Sequence, residues 1–294
     1  MRTALLSLAL LTLCACGTVP SRPGTSAPVE RGPKAISLEG DPNGLWWDAA
    51  TKTLYMADGQ NNRVMKWTDA GGVALVADLP PVPGRGVGLG GLVRMLDGTL
   101  VVVRFGGGSA GDVVFIRPDG TSGIVPNLKP ERRRIGLTLA RDGQLYVAYF
   151  VRTNNVNMGA VARLTLDGTE QDVIGALTKA VGVLAVGDSL FVSDQLAGKV
   201  YRSSLAAPQD YTAYASLPSP DLLAVGPGGL LLTGSREGKV FSIAPTGEVA
   251  VLASGYQQPH GLAYDAENKR LFIADHDGDT SNGVTHFLRI IPVE

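Results

Sequence analysis

The chain has 294 residues, and its 26 lysines and arginines are balanced by 27 aspartates and glutamates. A net charge of −1 offers no field that would attract nucleic acid or anionic lipid, so neither is expected to bind the folded domain. The 38 glycines and 18 prolines recur at turn positions while hydrophobic residues still make up 45% of the chain, which favours one large turn-rich β domain over disorder.

The N-terminal segment 1–15 has the pattern of a bacterial signal peptide. Arg2 is followed by an apolar run from Ala4 to Leu13 that is too short to span a bilayer as a permanent helix. The end of this run, Leu13-Cys14-Ala15-Cys16, resembles the lipobox of bacterial lipoproteins, and the resemblance implies lipidation of Cys16. An ordinary cleaved signal with two incidental cysteines is the alternative. Because the chain has no other cysteine, the folded part cannot hold a disulfide, a thiolate metal site or a catalytic thiol.

Residues 16–33 are rich in proline, glycine, serine and threonine and contain almost nothing to bury. This composition is typical of a flexible tether. Lipid, tether and globular domain together predict a protein that is anchored to a bacterial membrane and faces the extracytoplasmic side. In a cell with two membranes, Gly17 after the lipidated cysteine resembles the sorting pattern for the outer membrane.

The stretch from Pro42 to Trp67, PNGLWWDAATKTLYMADGQNNRVMKW, contains three short apolar strands separated by polar turns. The turn at Asp69 to Gly72 leads to a fourth strand, Val73 to Ala77. Four short antiparallel strands within about 45 residues are typical of one blade of a β-propeller.

The same unit recurs along residues 34–294, which predicts an all-β, six-bladed propeller with four antiparallel strands in each blade. The second strands of the six units are LYMAD, LVVVR, LYVAY, LFVSD, LLLTG and LFIAD. The six units open at Asn43, Gly90, Ile135, Val181, Asp221 and His260. The last unit lacks a fourth strand, and Lys34 to Leu38 is predicted to complete it and close the ring. Ring closure removes exposed sheet edges, so a monomer is expected.

The segments PNGLWWDAATKTLYMADGQNNRV and PHGLAYDAENKRLFIADHDG resemble NHL repeats and the related gluconolactonase/regucalcin-like propellers. The resemblance covers nearly the whole chain after the tether and implies the six-bladed fold, whereas propellers as a class host many functions. For a gluconolactonase it further implies a divalent cation, such as calcium, in the central channel. There the metal acts as a Lewis acid and an aspartate activates water.

Only part of that cation site is present in this sequence. Pro220-Asp221 matches the Pro-Asp of the family that carries the metal ligand and base, and Asn43 stands where the family has a glutamate. Ile135 and Val181 stand where two asparagine ligands are expected. Because calcium takes six to eight oxygens, the sequence predicts a degraded metal site with Asp221 and Asn43 as its remaining ligands.

The propeller geometry predicts which polar residues meet at the mouth of the channel, because first strands start and second strands end at the same mouth. Blades five, six and one are neighbours in the ring, so Asp221, His260 and Asn43 are expected to face one another. His260 beside Asp221 would form a general acid/base pair, although NHL-type repeats often carry a histidine here without a catalytic role. Three second-strand ends supply Asp58, Asp194 and Asp275, of which Asp58 and Asp194 are expected to cap their own hairpins.

Two further groups of charged residues are candidates for ligand binding. The acidic segment Asp275-His276-Asp277-Gly278-Asp279 resembles a calcium-binding loop. It lacks the distal glutamate of an EF-hand, so a solvated hairpin loop is the alternative. His286 is expected to pack or to lie at the surface. Arg104 is predicted to point toward the channel, and it could form with Arg85 and Arg132 to Arg134 a basic flank for a carboxylate or phosphate. A solvated loop is again the alternative for the arginine run.

Other motifs exclude some chemistries. Gly86 to Gly91 matches G-x-G-x-x-G by letters but lacks the strand–turn–helix context of a dinucleotide site, and no G-x-S-x-G nucleophile motif is present.

The sequence thus favours a lipid-anchored propeller that binds a small molecule, glycan or protein at its channel mouth. The alternative is a divergent gluconolactonase-like lactone or ester hydrolase that uses Asp221, His260 and Asn43. A structural envelope protein is a third option.

Overall fold

The computed structural model describes residues 33–82, 88–276 and 286–293. These residues form six four-stranded antiparallel sheets arranged as a six-bladed β-propeller, which confirms the predicted architecture. The predicted signal peptide and tether with Cys16, as well as Arg85, Asp277 and Asp279, lie outside the described residues. Among the described residues, no helix is long and apolar enough to cross a bilayer.

The first three blades each run from an inner strand to an outer strand in chain order. They consist of β2 (Pro42–Asp48), β3 (Thr53–Asp58), β4 (Arg63–Thr68) and β5 (Gly72–Asp78); β6 (Leu89–Arg94), β7 (Leu100–Arg104), β8 (Asp112–Ile116) and β9 (Ser122–Ile124); and β10 (Arg133–Leu139), β11 (Leu145–Thr153), β12 (Val156–Leu164) and β13 (Glu170–Leu177). A 3₁₀ turn at Gly106–Gly108 follows β7.

The next two blades repeat the same order, and the sixth takes its outer strand from the start of the domain. They consist of β14 (Ala180–Val186), β15 (Ser189–Asp194), β16 (Lys199–Ser204) and β17 (Ala207–Ser216); β18 (Pro220–Val225), β19 (Leu231–Ser235), β20 (Lys239–Ile243) and β21 (Val249–Ser254); and β22 (Gln258–Asp265), β23 (Arg270–His276), β24 (His286–Pro292) and β1 (Lys34–Leu38). A second 3₁₀ turn, Pro227–Gly229, precedes β19.

The strand β1 closes the ring, as the sequence predicts. It pairs antiparallel with β24, with Lys34 opposite Ile290 and Leu38 opposite His286. The start and end of the domain therefore share one sheet, and β24 is not left as an open edge.

The hydrophobic core lies between neighbouring blades. All five residues of β7, LVVVR, are buried, and so are most residues of the other second strands. One cluster joins Val103 of blade two to Val147 of blade three, and another joins Met56 of blade one to Phe272 of blade six. Second strands are covered on both faces, which explains why their sequences are continuously apolar instead of alternating.

Glycines next to the opening positions let the inner strands approach each other at the axis. A Cβ on Gly261 would lie 2.0 Å from the carbonyl oxygen of Asn43, and one on Gly44 would lie 2.3 Å from that of Gly90. Similar close approaches occur at Gly90, Gly136 and Gly182. A glycine follows the opening residue in five of the six units, all except the unit that opens at Asp221, and the narrow centre of the ring explains it.

Candidate functional site

A cavity of about 230 Å³ lies where the inner strands begin. Its lining includes all six residues that were predicted to open the blades: Asn43, Gly90, Ile135, Val181, Asp221 and His260. Residues spread over more than two hundred positions of the chain therefore share one chamber at the axis.

Asp221 and His260 form an ion pair in this cavity. Asp221 lies on β18 and is 3% exposed, and its Oδ2 is 3.1 Å from Nδ1 of His260 on β22. With Nδ1–H donated to the carboxylate, the lone pair of the neutral imidazole is on Nε2. The His260 side chain is 16% exposed, so solvent or a small ligand can reach the ring.

The two charges stabilise each other against the effect of burial. Burial alone lowers the pKa of His260, but the charge of Asp221 and its hydrogen bond outweigh burial and raise the pKa above the ordinary 6.5. Burial alone raises the pKa of Asp221, but the imidazolium of His260 outweighs burial and lowers it below the ordinary 3.8. Both directions favour the charged pair, which is the arrangement of a strongly coupled acid/base couple.

Further hydrogen bonds hold Asp221 in place. The backbone N–H of Leu222 donates to Oδ1 at 3.0 Å, and Nε2 of Gln195 donates to Oδ2 at 2.9 Å. The Oε1 of Gln195 in turn accepts a hydrogen bond of 2.5 Å from Nζ of Lys179. A polar chain thus runs from His260 in blade six through Asp221 in blade five to Gln195 and Lys179 of blade four.

Cationic side chains surround the pair. Lys179, Arg236 and Arg134 line the cavity together with the single carboxylate of Asp221. Burial, assisted by the positive charge of Arg236, lowers the pKa of Lys179 from its ordinary 10.5. Arg134 is fully buried and is neutralised by Glu170, to which it donates two hydrogen bonds of 3.0 and 2.8 Å. Lys179 and the exposed Arg236 are therefore the donors suited to an anionic group of a ligand.

Asn43 adds an acceptor to the half of the cavity that holds Asp221 and His260. Within the described part of the chain, its buried Oδ1 has no hydrogen-bond partner. Buried polar atoms are nearly always paired, so this oxygen is a site for a donor of a ligand or for a water molecule.

The cavity does not fit the calcium ion that the family resemblance implies. Ile135 and Val181 line it with hydrocarbon, and the Oδ2 of Asp221 already serves His260 and Gln195. One carboxylate and the amide of Asn43 fall well short of six oxygens, and the ammonium of Lys179 opposes a second cation.

The aspartates at the ends of second strands hold loops together and do not line this cavity. Asp58 accepts hydrogen bonds from the backbone of Asp41 and from the side chain of Arg63. Asp194 accepts three from Thr178 and Lys179. Asp275 accepts from the backbone of Gln257 and Gln258 and from Arg289. Asp58 and Asp275, both candidates for ligand binding, therefore act as loop caps.

Arg104 does not point into the channel, which corrects the sequence-based expectation. Its guanidinium is fully buried between blades one and two, where it donates two hydrogen bonds to Asp112 and one of 2.6 Å to the carbonyl of Pro80. The arginine run is likewise not a solvated loop. Arg132 binds Asp172, and the guanidinium of Arg133 lies 5.3 Å from the ring centroid of Phe105. These arginines join structural elements.

Three residues of the site, Lys179, Gln195 and Arg236, were not predicted from the sequence. Lys179 comes two positions before Val181, Gln195 follows the second strand that ends in Asp194, and Arg236 follows the second strand that ends in Ser235. Each lies within two residues of a position that the repeat geometry places at the mouth of the central channel. Extending the same rule by one or two residues on either side would have found them.

All three histidines of the chain gather on one side of the cavity. The ring of His276 lies edge-on to His260 with centroids 5.4 Å apart and is stacked on His286 at 4.8 Å. Nδ1 of His276 is 2.5 Å from Oδ1 of Asp41. His276, a predicted ligand-binding residue, therefore contacts the catalytic candidate His260, and His286 is buried beside it.

No protein-family profile and no curated protein sequence matches this chain. Among solved structures, a gluconolactonase from Xanthomonas campestris matches with a TM-score of 0.68 at 20% identity, over 88% of this chain and 90% of the other. A calcium-binding regucalcin from Agrobacterium tumefaciens matches with a TM-score of 0.68 at 14% identity, over 86% and 90%. A catalytically inactive histidine-to-alanine variant of virginiamycin B lyase from Staphylococcus aureus, crystallised with quinupristin, matches with a TM-score of 0.58 at 14% identity, over 89% and 100%. The chain therefore has the fold of the gluconolactonase- and regucalcin-like six-bladed propellers.

Proposed function

We propose that this protein is a hydrolase that opens a small lactone or ester carrying an anionic group, with His260 and Asp221 as its acid/base pair. The observation that carries the proposal is the 3.1 Å contact between Asp221 and His260 inside a small axial cavity. An imidazole that a carboxylate orients and whose side chain remains 16% exposed is an arrangement suited to general base catalysis.

The residues around the cavity supply each part of such a reaction. In its neutral form, above its raised pKa, His260 removes a proton from water through Nε2. The water oxygen bonds to the carbonyl carbon of the substrate while the π electrons of the carbonyl move to its oxygen, which becomes the oxyanion. Asp221 stabilises the imidazolium formed at that moment and keeps the ring in one orientation. The imidazolium then returns the proton to the leaving alkoxide as the carbon–oxygen bond breaks, which gives a carboxylic acid and an alcohol.

The cationic residues fit the charges of substrate and product. Lys179 inside the cavity and the exposed Arg236 can donate hydrogen bonds to the carboxylate of a substrate. A cavity of about 230 Å³ admits only a small molecule.

The structural neighbours support this class of function without identifying the substrate. One is a gluconolactonase, and a histidine-to-alanine variant of the virginiamycin B lyase is described as catalytically inactive. In this chain, imidazole replaces the metal-dependent activation that the gluconolactonase resemblance implies.

The test is a hydrolysis screen of lactones and simple esters, with and without a carboxylate group, in the presence of a chelator. We expect turnover that survives the chelator and that is lost in His260→Ala and Asp221→Asn. Asp142→Asn, on an exposed hairpin turn, is the matched control and should retain activity. Turnover that is unchanged in both site variants would overturn the proposal.

A second candidate function is binding of a small anion without turnover, and the cationic side chains of Lys179 and Arg236 in the lining favour it. Calorimetric titration with small carboxylates separates the two functions. Binding that depends on Lys179 and Arg236, with no hydrolysis of any compound in the screen, would support the binding protein.

We further propose that either function is exercised outside the cytoplasm by a protein anchored through Cys16. Loss of fatty-acid labelling in Cys16→Ser would support the anchor, and labelling that persists in this variant would contradict it.

A further inference from the structure

A second cluster of metal-ligating side chains lies beside the axial cavity, at the seam where the ring closes. Asp41 directly precedes β2, His276 ends β23 and His286 begins β24. One ligand atom from each of these residues lies within 4.8 Å of the ligand atoms of the other two. Asp41 and His276 are 235 positions apart in sequence, so ring closure creates the cluster.

The cluster contains one more metal-ligating side chain than the ion pair between His276 and Asp41. Nδ1 of His276 contacts Oδ1 of Asp41 at 2.5 Å, which would satisfy one carboxylate and one imidazole. A second imidazole, His286, is only 4% exposed and is nearly parallel to His276, with 17° between the ring planes. Two imidazoles and one carboxylate whose ligand atoms lie within 4.8 Å of one another are a recurring set of metal ligands.

The chemistry of these ligands selects the type of metal. Two nitrogen donors and one oxygen suit divalent first-row transition metals, whereas calcium and magnesium prefer oxygen donors alone. Three protein ligands also leave at least one coordination position for water or another small ligand, which is typical of catalytic and not of structural sites.

We propose that Asp41, His276 and His286 bind a divalent first-row transition metal ion such as zinc. This site is distinct from the calcium position that the family resemblance places at Asp221 and Asn43. It lies next to the proposed acid/base pair, since the rings of His276 and His260 are 5.4 Å apart between centroids. The proposal does not depend on the hydrolase function.

The test is calorimetric titration of the chelator-treated, full-length protein with zinc, supported by absorption spectra of the cobalt-substituted protein. We expect one equivalent of zinc to bind and cobalt bands that indicate nitrogen ligation. Asp41→Asn and His276→Ala should each weaken zinc binding by more than about 100-fold, because loss of a direct ligand exceeds the effect of losing its hydrogen-bonded neighbour. Both side chains are partly exposed, so these variants are expected to fold, and circular dichroism checks this.

Two matched controls separate this site from unspecific binding. Glu39→Gln removes an exposed carboxylate two positions before Asp41, and His260→Ala removes the one histidine of the chain that is outside the proposed metal site. Both should keep stoichiometric zinc. Absence of stoichiometric binding to the unmodified protein, or an equal loss of affinity in Glu39→Gln and Asp41→Asn, would overturn the proposal.

Discussion

The two halves of the axial cavity have the same backbone geometry and opposite chemistry. Blades two, three and four present Gly90, Ile135 and Val181 at their opening positions, and these side chains offer no donor or acceptor. Blades five, six and one present Asp221, His260 and Asn43 at the equivalent positions. The repeat therefore determines where a side chain lies. The residue type at each opening decides whether that side chain can bind or react with a ligand or only lines the cavity.

The arginines of blades two and three extend this comparison. Arg104 and Arg134 are fully buried and paired with Asp112 and Glu170. Each ion pair lies within one blade, and each guanidinium also donates to a backbone carbonyl that precedes its own strand, Pro80 for Arg104 and Gly111 for Arg134. Lys179 and Arg236 lie near the acid/base pair without such a bidentate carboxylate partner among the described residues. Substitutions on the two sides should therefore change different properties of the protein.

The largest expected effect is on turnover, at the polar side of the cavity. His260→Ala should reduce kcat/KM for a cleaved lactone or ester by about 10²–10⁴-fold, because it removes the general base. Steady-state kinetics measure the change, and Asp142→Asn serves as the control. Residual activity within about twofold of the unmodified protein would contradict the assigned role.

The next effect is on stability, at the structural side. Arg104→Met should lower the free energy of unfolding by about 3–5 kcal/mol, since it leaves the carboxylate of Asp112 without its bidentate partner. Urea denaturation measures this, with the exposed Arg141→Met as a control expected within about 0.5 kcal/mol of the unmodified protein. The folded Arg104→Met protein should retain its kcat. A selective loss of kcat with unchanged stability would indicate that Arg104 acts in the functional site and would contradict its structural role.

Lys179→Gln should have a smaller effect, on substrate affinity. We expect KM for a carboxylate-bearing substrate to rise by about tenfold, because a charge-assisted hydrogen bond becomes a neutral one. A matched neutral ester should show little change in KM. Equal increases for the charged and neutral substrates would indicate that Lys179 shapes the cavity without recognising charge.

The smallest effect is a shift in pH dependence. The raised pKa of His260 means that its stabilising charge is fully present below the ordinary 6.5 and is lost as pH rises through the raised value. The lowered pKa of Asp221 means that its contribution is present above 3.8 and is lost as pH falls through the lowered value. The stability difference between the unmodified protein and Asp221→Asn, measured by thermal unfolding, should therefore be largest between these limits. A difference that grows above pH 8 would contradict the pairing.

Most of the fold could be predicted from the sequence because the repeat is carried by local features. Apolar second strands recur in every unit and a glycine follows the opening residue in five of the six, and the missing fourth strand of the last unit identified Lys34 to Leu38 as its complement. The convergence of Asp221 and His260 followed from ring geometry. Local patterns are sufficient wherever the repeat itself imposes the position.

The rest of the site depends on contacts that the repeat does not specify. The direction of Arg104 depends on which face of a strand end is occupied, and a change of one residue reverses that face. The hydrogen bond between Lys179 and Gln195 arises between loops flanking β14 and β15, outside the repeated strands. Likewise Asp41, His276 and His286 meet only because the first and last strands share a sheet.

The most direct test of the central claim is an NMR titration of the histidine side chains in the chelator-treated protein. Only three histidines are present, so His260→Ala assigns the relevant resonance. We expect His260 to titrate above 6.5 in the unmodified protein and at a lower pH in Asp221→Asn. A His260 resonance with an ordinary pKa that Asp221→Asn leaves unchanged would show that the two residues do not form an acid/base pair.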